Sequence, residues 1–246
     1  LRMRSDTLNQ KFKSDPNLWK EYHTTRKQTF AKYEPDSIPT NKIIKELDKI
    51  RTKRQKIVVD MGCGEAHIAH HYQKEKDTRF IFNNYDHQSG GDPIINEVDI
   101  TSLPLQNNSV EIAIMSLALW GTQENCKQYI KEAHRVLESG GKFYISDSTK
   151  KWSPEPLTTE NGGSLLRSLL IDNGFTIISE DIGIPFCLFV CNGNLYPFSN
   201  NVKLNNKSSS SPNATVEFLL DYLSVRYPNV DFENLIYVGI KRQELY

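Results

Sequence analysis

Ile57-Val58-Val59-Asp60-Met61-Gly62-Cys63-Gly64-Glu65 is an apolar run that ends in a carboxylate and then turns on two glycines. The run reads as a strand entering a tight turn, and the segment near 66–75 reads as the helix that follows. Glycines there let the backbone approach a ligand closely, and the unpaired N–H groups at the start of the helix face that ligand. A lone G-x-G belongs to many nucleotide-binding folds. Here His67 stands where the dinucleotide pattern has its third glycine, so a nicotinamide site loses ground. Asp60, two residues before Gly62, suits an acidic position beside a cationic amino-acid ligand.

On either side of this turn, strand and helix patterns alternate. Strands are expected at Phe80–Asp86, Glu97–Ile100, Ile112–Leu117, Lys142–Ser146 and Thr176–Asp181, and helices at 124–138 and 162–173. That order predicts an α/β fold, a mostly parallel sheet with helices on both faces. Ligands of such sheets lie beyond the carboxyl ends of the strands. Three acids fall at those ends: Asp60 on strand one, Asp86 on strand two and Asp99 on strand three. Asp86, 22 residues past Gly64, is placed to accept ribose hydroxyls. Asp99 is placed to accept an adenine amino group, with the Ile100 N–H beside it. Gly140-Gly141 is expected to stop helix 124–138 with positive φ.

With 246 residues, 38% of them hydrophobic, the chain suits one α/β domain with additions. It has no 18-residue apolar run and no signal-peptide pattern, so a soluble intracellular protein without a membrane partner is expected. The opening residue, Leu1 rather than Met, reads as a trimmed start. Cys63, Cys126, Cys187 and Cys191 show no paired metal-ligand spacing, and reduced thiols with no metal are expected. The net charge of zero hides an asymmetry: residues 1–56 carry 15 Lys and Arg against 7 Asp and Glu. Three parts are expected. Residues 1–56 form a basic helical arm, in which Asp15-Pro16 opens a helix. Residues 57–192 form the ligand-binding domain. Residues 193–246 form an extension with a flexible 200–213 loop, a helix at Thr215–Tyr227 and a strand at Leu235–Lys241.

The acidic strand ends, the glycine turn and the Gly140-Gly141 pair together resemble the class I S-adenosylmethionine (SAM)-dependent methyltransferases, whose sheet is Rossmann-like. Further segments narrow the likeness. Ser116-Leu-Ala-Leu-Trp120-Gly121-Thr122, Asp15-Pro16 with Tyr22-His23, Val98-Asp99-Ile100 with Pro104-Leu105, and Phe186-Cys-Leu-Phe189 resemble elements of the nucleomethylin, or ribosomal RNA-processing protein eight, family. The likeness covers roughly residues 12–192. It implies that His23, Gly62, Asp86, Asp99, Ile100 and Ser116 hold SAM and its product S-adenosylhomocysteine, alongside Asp60, Cys63 and Gly64 of the glycine turn. Ser116 stands for a Cys in that family and Trp120 for a Met, and residues 193–246 have no counterpart.

The same resemblance implies 1-methyladenosine formation in large-subunit ribosomal RNA, with RNA as partner and chromatin or ribosome-assembly proteins as further ones. The implied compartment is the nucleus and nucleolus, or the cytoplasm if the target is not ribosomal. Trp120, Gly121 and Thr122 would line the acceptor pocket. By itself Trp120 reads equally as a stacking surface or as core, and Trp152 as a rim residue or a loop anchor. Arg26, Lys27 and Lys32 form the expected RNA-phosphate surface. A non-catalytic SAM-binding scaffold, or a methyltransferase acting on a protein or small molecule, is the alternative.

Overall fold

A computed structural model of the chain describes residues 5–158 and 160–193. The expected 200–213 loop, Thr215–Tyr227 helix and Leu235–Lys241 strand lie outside the described residues. Seven strands form one sheet: β1 (Lys56–Met61), β2 (Phe80–Asp86), β3 (Ile95–Glu97), β4 (Val110–Ser116), β5 (Leu137–Ser148), β6 (Phe175–Ile182) and β7 (Phe186–Gly193). Their spatial order is β3-β2-β1-β4-β5-β7-β6. The first five run parallel, whereas β7 is antiparallel to both β5 and β6. Only Gly183-Ile184-Pro185 joins β6 to β7, too short for the crossover that a parallel pair needs.

Both faces of the sheet are covered. Helices α3 (Pro39–Asp48) and α4 (His67–Lys74) place Ile43, Leu47, Ile68 and Tyr72 on one face. Helices α5 (Gln123–Val136) and α6 (Ser164–Asp172) place Tyr129, Ile130, Leu166 and Leu170 on the other. Every residue of β4 is buried, which explains its nearly continuous apolar reading. Helices α1 (Ser5–Ser14) and α2 (Pro16–Phe30) come from the basic arm; Asp15 caps α2 by accepting the Asn17 N–H, and Pro16 opens its first turn. Cys126, Cys187 and Cys191 are buried free thiols and Cys63 a half-buried one. Trp152 is also buried in the core, as a loop anchor. Among the described residues no helix is long and apolar enough to cross a membrane.

Two expectations need correction. The third strand is Ile95–Glu97 and ends before Asp99, because only Asn84, Tyr85 and Asp86 of β2 supply it with partners. Gly140-Gly141 does not stop a helix. Helix α5 ends at Val136, where the Asn108 and Ser109 N–H groups take the Arg135 and Val136 carbonyls, and β5 begins at once. Val110 pairs with Leu137 and Ile112 with Lys142, so residues 138–141 bulge out of the ladder, with Gly140 at φ +74°.

The end of α5 also anchors the loop before β4. Glu132 accepts the Leu103 N–H at 2.6 Å, and Arg135, paired with Glu132, donates to the carbonyls of Leu103 and Leu105. Glu132→Ala leaves the buried Leu103 N–H without its acceptor, and is expected to lower stability by about 1–3 kcal/mol in denaturant titration. Glu132→Gln, which keeps an acceptor for Leu103, recovers part of that loss. Equal losses in the two variants would contradict the anchoring role.

Candidate functional site

β1 has β2 on one side and β4 on the other, the point where the strand order reverses, so the carboxyl ends of these strands frame a crevice. Gly62 and Cys63 close the turn after β1 by donating to the Tyr85 carbonyl at 2.8 and 3.0 Å. Gly62 and Gly64 have φ of +72° and +59°. A Cβ on Gly62 would lie 2.7 Å from the Ala118 Cβ, and one on Gly64 would lie 2.7 Å from His23 Cε1. The glycines thus let the loop after β4 and helix α2 close on the turn. Gly64 N–H then donates to Asp86 Oδ2 at 2.7 Å, while Asp86 Oδ1 accepts from His87 N at 2.8 Å and from Trp19 Nε1 at 3.3 Å.

A cavity of about 340 Å³ opens over this turn. Gly62, Gly64 and Asp86 line it from the sheet, Trp19, Tyr22 and His23 from α2, and Ile100 and Trp120 from the loops. A smaller chamber of about 40 Å³ shares His23, Arg26 and Gly64 with it and is also lined by Asp60, Cys63 and Ser116. The residues 19, 22, 23 and 26 follow i, i+3, i+4, i+7 spacing, so one face of α2 walls both spaces.

Burial dominates the electrostatics. Asp60 is only 2% exposed, and burial, assisted by the nearby Asp86 charge, pushes its carboxyl up to about 7 against the pull of Arg26. Burial, helped by Arg26 and opposed by Asp86, lowers His23 to about 4, so its imidazole is neutral at pH 7. That ring lies 4.2 Å from the Trp19 ring and 5.0 Å from the Tyr22 ring, between centroids. Burial also raises the Cys63 thiol.

His23, Gly62, Gly64, Asp86, Ile100 and Trp120 line the larger cavity, and Asp60, Cys63 and Ser116 the smaller one. Asp99 lines neither. Its Oδ1 accepts the Thr101 N–H at 3.0 Å and shapes the turn that carries Ile100. Trp120 donates its indole N–H to the Leu117 carbonyl at 2.8 Å and meets Tyr22 edge-on, with ring centroids 5.0 Å apart. Gly121 and Thr122 also lie outside both linings. Gly121 turns the chain at φ +90°, and Thr122 caps α5 by accepting the Asn125 N–H at 3.2 Å. Lys151, in the short 3-10 turn after β5, supports this loop, donating to the Leu119 carbonyl and lying 3.6 Å from the buried Asp147 carboxylate. Trp19 and Arg26 were absent from the sequence-derived site, although the i+3, i+4 spacing with His23 is the signal that groups them. Among the described residues no cluster of His, Cys, Asp and Glu could hold a metal ion.

The fold agrees with solved structures of methyltransferases. The 1,6-didemethyltoxoflavin-N1-methyltransferase of Burkholderia thailandensis, solved with S-adenosylhomocysteine, superposes with a TM-score of 0.54 at 15% identity, over 76% of this chain and 87% of that one. A TehB-like SAM-dependent methyltransferase of Corynebacterium glutamicum gives 0.52 at 14% identity, over 73% and 100%. The sheet is therefore the Rossmann-like one of class I methyltransferases. In sequence, the chain is 32% identical to ribosomal RNA-processing protein 8 of Arabidopsis thaliana over 69% of its own length and 54% of that protein's. It is 28% identical to the 25S rRNA (adenine(645)-N(1))-methyltransferase of Schizosaccharomyces pombe, over 61% and 46%. It thus spans about half the length of these relatives. A protein family described as hypothetical methyltransferase matches residues 2–191, nearly all of the helical arm and the sheet, and the chain belongs to that methyltransferase family.

Proposed function

We propose that the protein is a SAM-dependent methyltransferase that methylates N1 of adenine in large-subunit ribosomal RNA. The observation that carries the cofactor is the glycine turn whose Gly64 N–H fixes the Asp86 carboxylate at the edge of the larger cavity. The residues present fit such a group. A Cβ on Gly62 or Gly64 would collide with Ala118 or His23 in the crevice walls, and the buried Asp60 Oδ1 has no hydrogen-bond partner among the described residues. The acceptor is drawn from the relatives whose names specify adenine N1 of 25S rRNA.

SAM supplies an electrophilic methyl group on a sulfonium. The chain's own residues bind, orient and exclude water. Asp86 would take a ribose hydroxyl, Ile100 would pack the adenine, and Asp60, Gly62, Cys63, Gly64 and Ser116 would hold the rest. Neutral His23 adds no like charge beside a sulfonium. N1 of neutral adenine carries a free lone pair, so no general base is required. Trp120 and Tyr22 provide aromatic surface for a base drawn out of its pairing, with Gly121 and Thr122 holding the Trp120 loop in place. Lys27 is tied to Glu65 at 2.7 Å and Arg26 turns toward the cavities, so the RNA-phosphate surface shifts to the exposed Lys13, Lys20 and Lys32. Asp99 acts through the turn it shapes. We further assign residues 1–56 as the RNA-binding arm on the 57–192 domain, and place the protein in the nucleolus with ribosome-assembly or chromatin partners.

Incubation with methyl-labelled SAM and total RNA, followed by nucleoside analysis, tests the assignment. Label is expected in 1-methyladenosine, and Asp86→Ala is expected to cut it by about 100-fold, the loss of charge-assisted hydrogen bonds to the cofactor. Tight S-adenosylhomocysteine binding with no labelled nucleoside would refute the RNA acceptor and favour the scaffold reading.

A further inference from the structure

The smaller chamber is lined by three residues with a buried polar atom that no hydrogen bond satisfies among the described residues: Asp60 Oδ1, on a residue 2% exposed, Ser116 Oγ, on one 6% exposed, and Glu65 Oε2. Glu65 is engaged as an ion pair, with Lys27 at 2.7 Å and His67 at 3.3 Å, which leaves Asp60 and Ser116 for a ligand. Buried polar atoms of this kind are rare in native proteins and point to something that binds them. The chamber also has a cationic wall. Arg26 reaches in from α2 with its guanidinium 5.1 Å over the Phe30 ring and one nitrogen 3.5 Å from the Ser116 carbonyl. The Ser116 carbonyl and the Tyr22 hydroxyl engage only part of its five-donor fork. Lys27 lines the same space, but its ammonium is held by Glu65.

A carboxylate, a hydroxyl and a guanidinium facing one small chamber match a zwitterion, an ammonium against the acid and a carboxylate against the fork. The chamber shares His23, Arg26 and Gly64 with the larger cavity, so one ligand can occupy both, nucleoside end in the larger and amino-acid end in the smaller. We propose that Arg26 binds the carboxylate of the cofactor's amino-acid end while Asp60 and Ser116 take its ammonium, which makes Arg26 a cofactor-specificity residue and removes it from the RNA surface. This rests on the SAM reading given above.

Calorimetric titration of the full chain with two nucleosides separates the possibilities. S-adenosylhomocysteine carries the amino-acid end; 5′-methylthioadenosine has the same nucleoside and thioether without it. Arg26→Gln is expected to weaken S-adenosylhomocysteine by about 10- to 100-fold and to leave methylthioadenosine within about twofold, with Arg26→Lys intermediate. RNA affinity, followed by filter binding, is expected to stay unchanged. Equal loss of both nucleosides would overturn the proposal by making Arg26 a general support of the pocket. Unchanged S-adenosylhomocysteine binding with weakened RNA binding would return Arg26 to the phosphate surface. Wild-type protein that binds neither nucleoside would overturn the SAM reading itself, and this proposal with it.

Discussion

Gly62→Ala is expected to lower stability by about 2–4 kcal/mol and to abolish S-adenosylhomocysteine binding, because it combines a left-handed backbone with a steric conflict. The position has φ +72°, and the new methyl group would sit 2.7 Å from the Ala118 Cβ. Neither atom can rotate away, as both are fixed directly to backbone. Relief therefore requires the β1 turn and the loop after β4 to separate, and those two walls define the larger cavity. Gly91→Ala is the matched control. It carries φ +90° with nothing within 4 Å, so it isolates the conformational part, about 1 kcal/mol. Urea titration of both variants gives the comparison. If Gly62→Ala costs no more than Gly91→Ala, the close approach of the two walls has no energetic weight.

Asp60→Asn is expected to change how stability depends on pH in the protein without ligand. The native carboxyl titrates at about 7 against an ordinary 3.8, so between those values the folded chain holds a proton that the unfolded chain has released. Stability then falls as pH rises through that window and levels off above it. His23 acts in the opposite direction. Its native value of about 4 lies below the ordinary 6.5, so the folded chain binds fewer protons there and stability rises with pH across that interval. In the wild type the two trends offset each other up to about pH 6.5. The variant keeps only the rise. Its stability relative to wild type is expected to grow from near zero at pH 4 to about 2–4 kcal/mol above pH 7.5. A pH-independent difference between the two proteins would show that Asp60 titrates normally. The gain should be accompanied by weaker S-adenosylhomocysteine binding, the usual relation between a stability gain and a binding site that holds a buried charge.

Much of this arrangement could be read from local signals. β2 runs over Phe80–Asp86 as expected, because its apolar residues and terminal acid lie within one short window. The same holds for Asp15-Pro16 at the start of α2 and for the two glycines after β1. Errors arose where a distant segment decides the local shape. The end of α5 is set by the amides of Asn108 and Ser109, nearly thirty residues earlier, and that frees Gly140 and Gly141 to form a bulge. The third strand is expected to reach Asp99 and stops at Glu97, because its partners are limited to the end of β2 beside it. A charge tally groups Arg26 with the other arm cations because it cannot tell which face of α2 meets the sheet, where Arg26 lines both cavities. The spacing of Trp19, Tyr22, His23 and Arg26 could have told it, once His23 was assigned to the site.

The three hydrogen bonds that converge on Asp86 have a consequence of simple counting. A carboxylate offers about four acceptor directions. Two are taken by the Gly64 and His87 amides, which the backbone cannot withdraw, and a third by the Trp19 indole at 3.3 Å. One direction is left, while a vicinal diol brings two hydroxyl donors. Of the three protein donors, only the indole belongs to a side chain, and its bond is the longest. A diol that uses both hydroxyls on Asp86 must therefore take the place of the indole. That exchange moves an aromatic ring packed over Gly90 and against His23, and so carries the identity of whatever sits on Asp86 into the position of α2 itself.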